Sequence, residues 1–526
     1  MRRALVPFLL SLALIPSAWL AWRSRDAPHL GYSHDDGLYW VCAKSLAEGR
    51  GYRIPSLPGE PHQTKYPPLY PLLLACVWKL NPAFPGNLPG AVLCSWLMLV
   101  LCLAAARIAF RDLGVGTERA WMLSAALALN PYYALCGISL LSELPFACFL
   151  LGALALIERA RRPSGGAGLA AVAGLAASAA FLTRSAGWLL LVAGPLAFLL
   201  RRQYRRAAAF ALAMLPGIAG WTLWTQAHHL ARADAVALYY TDYLGYYGHE
   251  ISAGNLGQVL WSNLDNLLSA IGGMLVFGLG DSFAAKSAAR VLAVAAIAGT
   301  VRLWRRPGAT AYVLFTAGYL VALAAWNYAP DQRFLVPVFP VLLAGFATEL
   351  LRLVGSVRAA WISRAVGGRV AAGAVAVALA ALVSLAGMGA YSGLFRVLPR
   401  FVTEHRDRLV EQRAAYRWIE AHTPPDAAVL AYQDAVLYLY TGRKACRLVL
   451  SPALVYGGDR QALEQFFSHA ADFAREQRLS YAVIAPEDLS AELPDRERRV
   501  ACRMFRANPR LRQVWRSGSV TVCRVE

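Results

Sequence analysis

The sequence predicts an all-α polytopic membrane protein of about eleven transmembrane helices, with a small external α/β domain at its C-terminus. Three observations carry that class. The 526 residues are 57% hydrophobic and only 16% charged, with a mean hydropathy of +0.42, too apolar for a soluble chain of this size. Apolar runs recur at lengths near the ~20 residues that a span needs, and short Arg-rich loops separate them. From Leu398 onward charge rises sharply and the apolar runs become short.

The apolar runs lie at 4–22, 88–110, 119–135, 143–158, 167–183, 186–200, 206–226, 285–301, 309–327, 334–351 and 370–391. The first follows Met-Arg-Arg and ends in Trp19, Leu20 and Trp22, not in the small-x-small pattern of a cleaved signal peptide, so it reads as an uncleaved span. Basic clusters follow the second, fourth, sixth, eighth and tenth runs, around Arg107–Arg119, Arg159–Arg162, Arg201–Arg206, Arg302–Arg306 and Arg352–Arg369. With Arg2 and Arg3 inside, each cluster falls on the cytoplasmic side, as the positive-inside rule requires. That parity holds only if Pro67–Leu80 and Leu264–Leu279 are not spans; the first is too short for one and reads as a juxtamembrane helix.

The expected organisation is therefore a transmembrane domain over 1–391, with a first external loop at 23–87 and a long external loop at 227–284, followed by an external α/β domain over 392–526. Short external turns fall at 136–142 and 328–333. Within the C-terminal domain, Ala428–Tyr432 and Tyr481–Ala485 read as buried strands, and Glu411–Ala421 and Gln461–Glu476 as helices. The location implied is the cytoplasmic (inner) membrane, with the N-terminus cytoplasmic.

The formal charge of +20 is accounted for by these orienting loops, so nucleic acid is not an expected partner. Nine Cys occur without a CxxC or Cys/His ligand spacing, which argues against a zinc site. Cys446, Cys502 and Cys523 lie near the C-terminus, where an oxidising compartment would permit one disulfide.

Chemistry-bearing groups collect on the external side. His34-Asp35-Asp36-Gly37-Leu38-Tyr39-Trp40 opens a segment whose spacing predicts an amphipathic helix running to Glu48. An Asp here caps free backbone N–H groups, or acts as a general base, or helps to hold a cation. Two neighbouring carboxylates exceed what one cap needs. Glu143 stands at the outer mouth of a span, either as a helix start with Ser142 and Pro145 or as a functional acid. Arg184 and Arg333 depart from the cytoplasmic pattern because they sit at outer span ends, and Lys65 precedes the Pro67-Pro68 turn. Outward Arg can snorkel at the headgroups, and its guanidinium is also a fork for phosphate. His228, His229, Tyr239 and Tyr240 in the long loop suit either an interfacial aromatic belt or contacts to a sugar. No GxSxG, HExxH or P-loop occurs.

This arrangement resembles the multispan GT-C glycosyltransferases that use polyprenyl-phosphate sugars, including the lipid A aminoarabinose transferases and protein O-mannosyltransferases. The resemblance lies in Asp35-Asp36-x-x-Tyr39-Trp40, Gly49-x-Gly51-Tyr52, Pro67-Pro68-Leu69, Ser142-Glu143, Leu182-Thr183-Arg184 and Arg333-Phe334-Leu335 with Pro337 and Pro340. It implies that Asp35 deprotonates an acceptor hydroxyl, with inversion at the transferred sugar. It implies that Asp36 assists or holds a cation, and that Glu143 is the acid of the second external loop. Lys65, Arg184 and Arg333 would receive the donor phosphate. Tyr39, Tyr66, His228, His229, Tyr239 and Tyr240 are then the candidates for substrate contact. A divalent cation, Mg or Mn, would fall on Asp36 and Glu143. The implied partners are membrane lipid, a polyprenyl-phosphate sugar, and a lipid, glycan or protein acceptor. Many relatives carry Asp-Glu where this chain has Asp35-Asp36, and the aminoarabinose enzymes place Lys directly before Pro-Pro, where Tyr66 intervenes here.

Two other classes fit a polytopic chain with outward cations. A transporter or flippase for lipid-linked glycans would show polar residues near mid-membrane and broken helices in matched halves, neither of which is clear here. A non-catalytic envelope-assembly protein would use the loop acids only as caps. Thr441-Gly442-Arg443-Lys444 reads as a strand-joining turn or, alternatively, as an acceptor contact.

Overall fold

The computed structural model describes residues 2–526 except 28–29, 32, 231–233, 249–255, 281, 327, 363–365, 451–453, 455–459 and 491–492. Every apolar run folds as helix, because in each the hydropathy is sustained over several turns. In chain order the first ten helices are α1 (Arg2–Ser24), α2 (Asp35–Ala47), α3 (Leu69–Leu80), α4 (Leu88–Asp112), α5 (Thr117–Ala128), α6 (Pro131–Ile138), α7 (Glu143–Ala160), α8 (Ala167–Thr183), α9 (Leu190–Leu199) and α10 (Tyr204–Ala227). They continue as α11 (Ala235–Thr241), α12 (Tyr243–Gly248), α13 (Leu256–Leu275), α14 (Phe283–Leu303), α15 (Thr310–Ala324), α16 (Gln332–Leu335), α17 (Phe339–Ile362), α18 (Val366–Ser392) and α19 (Leu398–His422).

Among the described residues, five helices are long and apolar enough to cross a membrane: α4, α10, α14, α17 and the continuous α18–α19 unit. They become six if α6 and α7, bent by 112°, count as one span. This is fewer than the eleven read from hydropathy. The difference lies in shorter apolar helices such as α8 and α15 and in one break. The expected span at 119–135 is cut at Asn130-Pro131, where the Asn130 side chain accepts from Tyr132 N–H and donates to the Met274 carbonyl at 2.8 Å. Pro131 lacks the N–H that would continue the preceding helix.

Small residues set the closest packing. A Cβ built on Gly299 of α14 would lie 2.0 Å from the Gly345 carbonyl oxygen of α17, so these helices meet backbone to backbone. The basic loops converge at one end of the bundle. Arg162 pairs with Asp112 at 3.3 Å, Arg206 donates to the Ala160 and Arg162 carbonyls, and Arg306 donates to the Leu113 and Gly114 carbonyls.

The expected helix after Asp35 is α2, but it is buried on nearly all sides and is not amphipathic. Helices α3 and α20 (Asp434–Thr441) pack against it. Pro67–Leu80 forms the short helix α3, whereas the region around 264–279 extends into the 20-residue α13.

The expected boundary at 391/392 falls inside a continuous helix, since α18 passes through a π-helical turn at Gly393–Val397 directly into α19. Beyond it lies a five-stranded sheet in the order β2-β1-β3-β5-β4. Its strands are β1 (Ala428–Leu430), β2 (Lys444–Cys446), β3 (Tyr481–Ile484), β4 (Leu511–Ser517) and β5 (Val520–Val525). β1 runs parallel to β2 and β3, and β5 runs antiparallel to β3 and β4. β1 and β3 are the two expected strands. The Thr441–Lys444 segment joins α20 to β2 through Gly442, whose φ of 68° closes the helix. All nine cysteines are free thiols.

Candidate functional site

A cavity of about 1050 Å³ lies where the first loop, the ends of α8 and α15, the α11–α12 segment, α16 and the C-terminal domain meet. Its lining combines apolar side chains, among them Trp188, Leu189, Trp221, Leu323 and Trp326, with charged ones.

The charged part of the lining is built from helix ends. Asp35 is the first residue of α2; its Oδ1 accepts from Tyr66 OH at 2.5 Å and its Oδ2 from Arg333 Nη2 at 2.6 Å. Asp331 caps α16 by accepting from Arg333 N–H at 2.9 Å. Arg333 also donates through Nε to Glu143 Oε1 at 2.5 Å. Glu143, fully buried at the start of α7, takes a second charged bond from Arg184 Nη1 at 2.6 Å. The carboxylate suits a helix N-terminus, and Arg184 suits the C-terminal end of α8, by the dipole of each helix. Ser142 does not cap α7; its Oγ meets Tyr39 OH and Arg184 Nη1, each at 3.1 Å.

Lys65 donates to the Tyr239 carbonyl at 2.7 Å, and its ammonium lies 4.5, 4.9 and 5.2 Å from the rings of Tyr239, Tyr243 and Tyr66. Such rings stabilise a cation through their negative faces. Burial brings the Lys65 ammonium down to about 8 against the opposing pull of Asp35. Burial works to raise the Asp35 pKa, but the Arg333 charge, the Tyr66 hydroxyl and Lys65 outweigh it and hold the carboxyl at about 2.

Asp36 behaves differently. It is fully buried, and its Oδ1 accepts from Gly37 N–H at 2.7 Å and Gly31 N–H at 3.0 Å. Burial pushes its pKa up to about 7, with those two N–H groups opposing. It does not line the cavity.

Of the residues singled out in the sequence, Asp35, Tyr39, Lys65, Tyr66, Arg184, His229, Tyr239 and Arg333 line the cavity. Glu143 lies behind the two guanidiniums that it joins. His229 sits on the rim, 3.7 Å from Asp242. His228 lies outside, its ring tilted 34° against Trp224 with centroids 3.9 Å apart and its Nδ1 2.9 Å from the Trp224 carbonyl oxygen. Tyr240 is buried and donates to Asp434 Oδ2 at 2.6 Å.

Asp36 Oδ1 accepts from backbone N–H groups and Glu143 Oε1 from two arginines, while Asp36 Oδ2 and Glu143 Oε2 are buried without a hydrogen-bond partner. Among the described residues, no group of three or more His, Cys, Asp or Glu side chains is arranged to hold a metal ion.

Several cavity residues escaped the sequence reading: His34, Asp242, Asp331, and Arg447, Val449 and Leu450 from the C-terminal domain. Arg447 follows β2 directly, and the carboxyl end of a parallel strand is where ligand-facing side chains collect in open sheets. That signal was readable only once β2 was known to be parallel.

No family model and no curated protein matches the chain. Solved structures do. ArnT from Cupriavidus metallidurans in the apo state aligns with a TM-score of 0.51 at 15% identity, covering 99% of this chain and 98% of that one. The same protein bound to undecaprenyl phosphate aligns with a TM-score of 0.57 at 14% identity, covering 100% and 98%. The archaeal oligosaccharyltransferase AglB from Archaeoglobus fulgidus, in complex with an inhibitory peptide and a dolichol-phosphate, aligns at 0.55 and 12% identity, covering 97% and 73%. At such identities the likeness is one of architecture, and it extends over the whole chain including the C-terminal sheet. The chain thus shares its overall fold with ArnT and AglB, and among its described residues five helices are long and apolar enough to cross a membrane.

Proposed function

We propose that the chain is an inverting glycosyltransferase that moves a sugar from a polyprenyl-phosphate donor to a hydroxyl of a lipid, glycan or protein acceptor on the outer face of the cytoplasmic membrane. The observation that carries this reading is the position of Asp35 in one cavity with Arg184, Arg333 and Lys65, whose lining also includes the apolar Trp188, Leu189, Trp221, Leu323 and Trp326. The lipid-bound neighbours support it, since ArnT is solved with undecaprenyl phosphate and AglB with a dolichol-phosphate.

In this reading the apolar side chains take the first isoprenes of the donor, and the three cations take its phosphate. Asp35 accepts the proton of the acceptor hydroxyl. The acceptor oxygen bonds to the anomeric carbon from the face opposite the phosphate, the carbon–oxygen bond to phosphate breaks, and the polyprenyl phosphate leaves with its electron pair. A carboxylate held at about 2 by Arg333 is a weak base. Donor phosphate that draws the Arg333 fork toward itself loosens that ion pair and restores basicity to Asp35 when a sugar is in place. The convergence of the basic loops supports the orientation: Glu143 begins the 18-residue α7, about 27 Å long, and the Glu158–Arg161 pair lies at its other end.

Mass spectrometry of envelope glycolipids and glycoproteins from cells with and without the chain tests the reading and identifies the sugar. An Asp35→Asn variant is expected to lose about 10²- to 10⁴-fold of transfer. Undiminished transfer by the folded variant sinks it.

A further inference from the structure

His34 stands directly before Asp35 with φ 61° and ψ −47°, on the left-handed side of the backbone map that residues with a Cβ seldom occupy. Such a conformation persists only when surrounding contacts hold it. Here both ring nitrogens are engaged. Nε2 lies 3.2 Å from Asp434 Oδ1, and Nδ1 lies 3.0 Å from Tyr239 OH. Burial lowers the His34 pKa, which suits a neutral ring. A carboxylate can only accept, so Nε2–H donates to Asp434 and Nδ1 accepts from Tyr239. Arg447 Nη1 donates in turn to Tyr239 OH at 3.3 Å. The chain of bonds is directional and starts and ends in the C-terminal domain.

Asp434 is fully buried at the start of α20, and its second oxygen accepts from Tyr240. Helix α20 seats tightly on the segment that carries the acid pair. A Cβ on Gly31 would lie 2.7 Å from Val436 Cγ2, and one on Gly37 would lie 3.0 Å from Ala435 Cβ. A second tie runs from Ala445 N–H to the Ser56 carbonyl at 2.8 Å.

We propose that Asp434 and His34 are positioning residues, through which the C-terminal domain clamps the backbone before Asp35 and fixes the aim of its carboxylate into the cavity. The domain is then part of the catalytic apparatus and not an appended module. This inference rests on the reading of Asp35 as the base.

The test uses the full chain in lipid nanodiscs and in cells, with Asp434→Asn, His34→Gly and the double variant. Asp434→Asn keeps the size of the side chain and removes its charge. His34→Gly relieves the backbone strain and removes the clamp, and it serves if Asp434→Asn does not fold. Each single variant is expected to lose roughly 10-fold or more of glycosylated product, while the Kd for undecaprenyl phosphate stays within about twofold, because only the aim of the base has changed. Amide hydrogen exchange over residues 33–38 is expected to rise in each. The double variant is expected to lose less than the product of the two single losses, since both single changes remove the His34–Asp434 contact. Wild-type product and wild-type exchange in the single variants overturn the clamp, as does a loss that follows the Kd. If Asp35→Asn abolishes product while the clamp variants keep it, the clamp alone fails. If Asp35→Asn makes as much product as wild type, the base reading fails and takes the clamp with it.

Discussion

Replacing Arg333 by Gln removes the fork that joins Asp35 to Glu143. Its two charged bonds, 2.6 Å to Asp35 and 2.5 Å to Glu143, are each of the kind that contributes ~1.5–3 kcal/mol. Removing one partner of a buried ion pair costs about 3–5 kcal/mol because it strands the other charge. Glu143 keeps Arg184 at 2.6 Å, so the low end of that range, about 3 kcal/mol, is expected for stability. For the donor, losing one guanidinium contact of ~1.5–3 kcal/mol weakens the Kd for undecaprenyl phosphate about 10- to 100-fold. The phosphate must displace Asp35 from Arg333 in the wild type, which again favours the low end. Arg333→Lys keeps the charge but not the fork and should fall between. Thermal unfolding and a titration with undecaprenyl phosphate, both in nanodiscs, measure the two effects separately. If Arg333→Gln binds the lipid phosphate as tightly as wild type, Arg333 is only the counter-ion of Asp35 and its assignment to the donor is refuted.

Tyr66→Phe removes a bond that helps to hold Asp35 at about 2, so its pKa should rise toward the usual 3.8. A depressed folded pKa contributes stability that is present above 3.8 and lost as pH falls through the folded value, so acid unfolding should begin at a higher pH in the variant; an unmoved acid transition counts against the bond. Asp36 has the opposite sign, with a folded pKa raised from 3.8 to about 7, so the fold binds more protons than the unfolded chain and stability falls as pH rises through that window. Asp36→Asn should flatten that slope and retain far more transfer than Asp35→Asn; equal loss in both would mean that their roles are wrongly divided. Gly299→Ala forces a methyl group into the Gly345 carbonyl and should destabilise the α14–α17 contact by about 1–3 kcal/mol, whereas Gly168→Ala, with nothing within 4 Å, should leave the unfolding midpoint unchanged.

Helix positions in the bundle were readable because hydropathy is a local property of each run, and the strands β1 and β3 because short apolar runs stand out in a charged domain. The break at Asn130-Pro131 and the burial of α2 were not readable in the same way. The first depends on Met274 taking the Asn130 amide, and the second on α3 and α20 packing against α2. Glu143, Arg184 and Arg333 could be picked out as charges at the ends of apolar runs, and Asp35 as half of an acidic pair in the first external loop, which are statements about sequence position. His34 and Asp434, 400 residues apart, carry no such mark.

The acid pair shows where the division falls. Sequence alone determined that two carboxylates begin a helix beside Tyr39 and Trp40, and that cations wait at other span ends. Only the family resemblance singled out Asp35; intrinsic chemistry could not say which carboxylate faces the cavity, because neighbouring identical residues carry the same group. Tertiary structure decided that by turning Asp35 onto Arg333 and Tyr66 at the cavity wall, where it is held near 2, and Asp36 onto the Gly31 and Gly37 N–H groups in a dry interior, where it is pushed to about 7. The physical reason is that a carboxyl's charge is set by the dielectric and the partners around it, and those come from residues distant in the chain.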